Sequence, residues 1–99
     1  MLYAIIGTDI PDSSAARLAA LPRHLERVHA LVQLGQLVLA GPFPAIDADD
    51  PGPNGYTGSL IVAEFPDLAT AQAWAAVDPY TTDGVFCTVD VKPFRRVLP

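Results

Sequence analysis

Basic residues are scarce in this chain. Six of its 99 residues are Lys or Arg against eleven Asp or Glu, a net charge of −5, and only Arg95 and Arg96 stand side by side. A phosphate backbone is held by clustered bases, so no nucleic-acid partner is expected. Cysteine is scarcer still. A single Cys87 excludes an internal disulfide and a multi-cysteine zinc site, in keeping with a reducing cytoplasm. In the strand-like run Val85–Val89 that thiol is expected as a small buried hydrophobe, not a nucleophile. No apolar run approaches the ~20 residues that span a bilayer. The chain opens on a short apolar strand without a basic leader, so a soluble, unprocessed, cytoplasmic protein with no membrane partner is expected. Repeats and separating linkers are absent too, and residues 1–99 form one expected domain.

About half of the residues are hydrophobic (51%), enough for one core. At this length roughly a third of the unfolded chain's surface stays exposed on folding, which favours a homo-oligomer. Residues 2–7 form an apolar run ended by Asp9-Ile10-Pro11-Asp12, a buried strand and a turn. Ser13 or Ser14 is placed to cap a helix, along which Leu18, Leu21, Leu25, Val28 and Val32 step by three and four and mark a buried face. Pro22 divides that pattern into a segment over 13–20 and another over 22–34, with Gly35 as the stop. Strands are expected over 36–40, 57–65 and 85–91. Asp67 caps a helix over 69–76 that ends before Asp78-Pro79. Between Ala45 and Gly55 a long loop rich in Asp, Pro and Gly is expected to be the most mobile segment and to cover a pocket.

The resulting order, β-α-β-β-α-β, is the ferredoxin-like arrangement of an α+β fold, an antiparallel sheet with both helices on one face. The opposite face, with alternate residues around Tyr3, Val38, Ile61 and Val89, would be buried against a second copy.

Chemistry-bearing residues are few. If Pro22 is the first helical residue, His24 lies in a first turn, where the helix dipole disfavours the imidazolium and leaves a ring able to accept a proton. A carboxylate beside it would hold the ring in one tautomer. Asp78 is the best candidate, because Pro79 restricts its backbone. The bland alternative is a rim histidine and a turn aspartate. His29 is about 140° further round the helix and is expected in solvent. Asp47, Asp49 and Asp50 do not have the spacing of a calcium loop, so no metal is expected. Gly41-Pro42 and Gly58-Ser59 either line a pocket or are turn and strand residues. Trp74 falls on a core-facing side of its helix. Tyr80 is a candidate pocket wall.

These residues resemble those of the YciI-like family over essentially the whole length: the Met1-Leu2-Tyr3-Ala4-Ile5 strand, Arg17, His24-Leu25, Gly35, Ala40-Gly41-Pro42, Gly58-Ser59, Asp78-Pro79-Tyr80, Gly84 and Val91-Lys92-Pro93-Phe94. The resemblance implies a dimeric ferredoxin-like α/β barrel with an acid–base pair in each subunit's pocket, which maps onto His24 and Asp78. One relative is a dehydrochlorinase of chlorinated hydroxyquinols, and similar dimeric barrels include muconolactone isomerase. Proton abstraction from a small cyclic or acidic metabolite is therefore the implied chemistry, of lyase or isomerase type and without a cofactor. Gly41, Pro42, Ser59 and Tyr80 would lie near the ligand. The competing expectation is a non-catalytic ligand-binding or accessory dimer.

Overall fold

The computed structural model describes residues 1–99. Strand β1 (Leu2–Asp9) is followed by α1 (Ser14–Gln33), β2 (Leu37–Pro44), β3 (Tyr56–Glu64), α2 (Leu68–Ala76), the short α3 (Pro79–Thr82) and β4 (Phe86–Phe94). All strand pairs are antiparallel, in the order β2-β3-β1-β4, so the fold is ferredoxin-like.

Alternation along β1 decides which face the helices cover. Tyr3, Ile5, Gly7 and Asp9 are buried, and the first three pair with Ala63, Ile61 and Ser59 of β3. Tyr3, Ile5, Ile61, Ala63 and Phe65 join Val28 and Leu31 of α1 and Ala71 and Ala75 of α2 in one core. Leu2, Ala4 and Ile6 point the other way and pair with Glu64, Val62 and Leu60; Leu39 and Phe43 extend that face across β2. This corrects the expected composition of the open face. Tyr3 and Ile61 belong to the core and Val89 packs against it, while Val38 is half-buried at an irregularity in the β2–β3 register. A strand has period two, so a phase taken one residue out exchanges the faces.

The first helix is also not divided. It runs through Pro22 without interruption, whose ring is on the solvent side. The donor it removes would have met the carbonyl of Leu18, an exposed residue that water can serve. On the opposite side a stripe of Ser13, Arg17, Ala20, His24, Val28 and Leu31 is buried and spans the proline at helical spacing. The expected stripe is displaced accordingly: of Leu18, Leu21, Leu25, Val28 and Val32, only Val28 is buried. The helix ends as expected, with Gly35 at φ +70° and Gly35 N–H and Gln36 N–H donating to Val32 O (3.0 Å) and Leu31 O (2.9 Å), a Schellman closure. In α2 the Asp67 side chain accepts from Thr70 N–H at 2.7 Å, and these bonds hold its carboxyl below the ordinary value.

A smaller cluster of Ala20, Tyr80 and Val85, with Phe86 packed against it, lies beside the core. Gly7 makes it possible, because a Cβ there would collide with the Phe86 ring. Gly7→Ala is therefore expected to destabilise the fold by about 1–3 kcal/mol through overpacking. Denaturant unfolding measures this, and adding Phe86→Val should restore part of the loss if the collision is its cause.

Candidate functional site

The buried stripe of α1 is polar where a core would call for leucine. Burying Ser13, Arg17 and His24 is tolerable only if each finds partners, and each does: Ser13 and Arg17 where β1 finishes and β3 begins, His24 at the start of α3.

At one end of the stripe Arg17 meets Asp9. Its Nε donates to Asp9 Oδ2 at 2.5 Å and its Nη2 to Asp9 Oδ1 at 3.0 Å, a two-pronged pair with both side chains almost wholly buried. The same Nη2 reaches Gly58 O and Ser59 Oγ, both at 2.8 Å. Ser13 occupies the helix-cap position, but its hydroxyl makes no capping bond; it donates to Asp9 Oδ2 at 2.6 Å.

Two turns further along α1, His24 Nδ1 lies 2.8 Å from Asp78 Oδ2. Asp78 precedes α3 and accepts from Tyr80 N–H at 3.0 Å, with Pro79 at the first helical position. Its other oxygen accepts from Arg27 Nη1 at 2.9 Å. A carboxylate that accepts only requires the proton of the contact to reside on His24 Nδ1, so that in the neutral ring Nε2 is the lone-pair nitrogen. Because α1 is one helix, His24 is ten residues inside it, so a first-turn dipole does not act on the ring and the tautomer is set by Asp78.

Tyr80 lies between these two systems. Its ring stacks on His24 with centroids 3.9 Å apart and planes at 11°, meets Phe86 edge-on at 5.5 Å, and has the Arg17 guanidinium carbon 4.9 Å from its centroid. Ala20, fully buried between Arg17 and His24 on the stripe, is small enough to leave that space. Burial pushes the Tyr80 phenol above its ordinary value of 10.0, partly offset by the adjacent Arg17 charge. The hydroxyl therefore stays protonated through the neutral range.

Arg17, His24, Ser59 and Tyr80 open onto a cavity of about 490 Å³ between α1 and the β2–β3 edge. Leu18, Leu21, Leu25 and Val28 form its apolar helical wall, Gly41 and Pro42 its strand wall, and Gly52 and Gly55 of the long loop one rim. Asp78 is not on the wall; it is behind His24. The residues selected from sequence are thus brought together, with Asp78 in a supporting position. Cys87, by contrast, is exposed on β4, with its thiol 3.3 Å from Thr8 O: the strand pairing slips between Thr8 and Asp9 and turns it out of the core. His29 is exposed and Trp74 half-buried, the latter under Arg27, whose guanidinium carbon is 4.2 Å from the ring centroid.

Asp9 and Arg27 escaped the sequence reading. Asp9 continues the buried odd-numbered phase of β1, a position where a carboxylate needs a cationic partner. Arg27 is three residues beyond His24, one turn along the same face.

A family model described as the YCII-related domain matches residues 1–95. The chain belongs to this family. Protein YciI of Escherichia coli O6:H1 is 50% identical over 98 residues, covering 99% of this chain and all of that protein; a Haemophilus influenzae protein is 45% identical over the same extent. Among solved structures, the 5-chloro-2-hydroxyhydroquinone dehydrochlorinase of Burkholderia phenoliruptrix, in complex with 2,5-dihydroxybenzoquinone, superposes with a TM-score of 0.84 at 23% identity, over 96% of this chain and 94% of that one. It shares the fold. The YCII-related chain has no helix long and apolar enough to cross a membrane.

In this YCII-related domain the Asp9–Arg17 pair ties α1 to β1 and β3. Arg17→Met, which strands a buried carboxylate, should destabilise by about 3–5 kcal/mol, and Asp9→Leu added to it should recover much of that, since replacing both members of a buried pair is often near neutral. Urea unfolding of the single and double variants checks it; equal losses in both would show that the pair does not act as a unit.

Proposed function

We propose that residues 1–99 form a single-domain cytoplasmic enzyme of lyase or isomerase type that abstracts a proton from a small cyclic or acidic metabolite without a cofactor. His24 is the general base, Asp78 its orienting partner, and Gly41, Pro42, Ser59 and Tyr80 contact the substrate. The observation that carries this reading is the 2.8 Å contact between His24 Nδ1 and Asp78 Oδ2, with His24 on the wall of an apolar cavity.

The proton takes a short route. Asp78 holds Nδ1–H, so Nε2 accepts the substrate proton, and the resulting imidazolium is stabilised by the carboxylate it already touches. The Tyr80 ring at 3.9 Å restricts the imidazole to rotation in its own plane, which Asp78 then prevents. Acid–base catalysis of this kind contributes about 10²- to 10⁴-fold, and holding the substrate against the leucine wall adds the positional part.

A screen of small cyclic acids and lactones, first for binding and then for product, tests the proposal. His24→Ala should abolish turnover and also lower the unfolding temperature, because it removes one of the donors to the buried Asp78 carboxylate. Asp78→Asn, which keeps a side chain able to cap α3, should lower kcat by about 10²-fold or more by releasing the ring's tautomer. Ligands that bind without product from any of them would favour a non-catalytic binding dimer instead.

The proposed active form is a homodimer joined through the uncovered sheet face. Leu39 and Phe43 are 48% and 40% exposed there and Phe94, paired with Leu2, is 43% exposed, an apolar surface of the kind that marks an interface. Sedimentation at micromolar concentration should give twice the 10.5 kDa chain mass. A species of the single-chain mass would remove the dimer from the proposal.

A further inference from the structure

The cavity's hydrogen-bond inventory is lopsided. A serine hydroxyl has one proton to donate and two lone pairs. Arg17 Nη2–H donates into Ser59 Oγ at 2.8 Å, which leaves the Ser59 proton to be given elsewhere, and no protein acceptor lies within reach of it. Ser59 is 6% exposed and on the cavity wall. Tyr80, 3% exposed and on the same wall, likewise has a hydroxyl without a protein acceptor. Its ring is fixed by His24 on the face and Phe86 at the edge. No fully buried side-chain nitrogen or oxygen is without a partner, so the oxygen to which these two hydroxyls donate comes from the cavity, as water or as a ligand. The Ser14 and Tyr56 hydroxyls also line the cavity, and in the neutral ring His24 Nε2 is the one nitrogen on the wall with a free lone pair. Both nearby carboxylates are already committed, Asp9 to Arg17 and Ser13, and Asp78 to Arg27, His24 and Tyr80 N–H. Negative charge arising in the cavity therefore faces hydroxyl protons and meets no unpaired anion.

We propose that the Ser59 and Tyr80 hydroxyls form an oxyanion-binding pair, and that the substrate is an enolisable carbonyl compound whose carbonyl oxygen they hold while its α-carbon faces His24. This rests on the reading of His24 as base and names the substrate class. In the step, the α-C–H bond breaks as an N–H bond forms at Nε2, and the electron pair moves through the carbon–carbon bond onto the oxygen, which accepts from Ser59 and Tyr80. The enolate then collapses in one of two ways. It takes the proton back from the His24 imidazolium at another carbon, completing an isomerisation, or it expels an anionic group from the β-carbon, completing an elimination, with the imidazolium proton passing to water. Donors placed in advance at the developing oxyanion are worth about 10²- to 10³-fold each in comparable sites.

The test uses 4-nitrophenol as an enol and enolate mimic, since its colour reports its ionisation state when bound to the full-length protein. The ligand's ionisation midpoint should fall by at least one pH unit on binding, equivalent to a tenfold preference for the anion. Tyr80→Phe and Ser59→Ala should each abolish most of that fall. His24→Gln should leave it in place while eliminating turnover, so the fates of the base and of the oxyanion pair are read separately. No fall with the parent protein overturns the proposal without reference to any variant, even if Ser59→Ala fails to fold. A fall that survives in Tyr80→Phe and Ser59→Ala but vanishes in His24→Gln also overturns it, because the anion is then held by the imidazolium.

Discussion

Three donors converge on the carboxylate of Asp78, and the geometry of this molecule is organised around them. One oxygen takes the amide of Tyr80 and the ring of His24; the other takes Arg27. A buried carboxylate is costly when unpaired, and each bond to a charged group contributes about 1.5–3 kcal/mol. The same side chain therefore begins α3, orients the imidazole and clips α1 to the helices that follow. A cavity-wall histidine held this way needs no further restraint. Its orientation is secured by the interaction that secures the packing.

Asp9 repeats the arrangement at the start of α1, where Arg17 and Ser13 converge on it. The helix is thus pinned by carboxylates at two points along its polar half and by the Val28 and Leu31 core contacts in its apolar half. Between the two pins the only small residue on the buried stripe is Ala20, and Tyr80 uses the space. This explains why the helix survives a central proline. Its anchors lie on both sides of Pro22, so the interruption of one backbone bond is spanned by side-chain interactions that do not depend on it.

Much of the fold was legible because strands and caps announce themselves locally: the apolar run at residues 2–7, Gly35 after the helix, Asp67 before the next one. What local pattern does not distinguish is an apolar stripe that faces a core from one that faces a cavity. The leucines at 18, 21 and 25 are spaced as a core face, yet they form the cavity wall, while Arg17 and His24 occupy the buried side. The site was legible in a different way. His24 and Asp78 are 54 positions apart, a separation no spacing rule connects; their pairing was suggested by Pro79, which restricts the Asp78 backbone, and implied by the family resemblance. Asp9 and Arg27 carried no such flag. Each has meaning only through a partner brought near by the fold, and a charged residue in a sequence is ordinarily a solvated one.

The cation–aromatic contact of Arg27 has an experimental use. Trp74 is the chain's only tryptophan, and the guanidinium above its ring is the one that holds Asp78. Any rearrangement of the carboxylate that displaces Arg27 alters the environment of a single indole. The protein thereby contains one indole fluorophore, two bonded neighbours away from the imidazole, through which the state of the site can be followed by selectively excited emission without labelling.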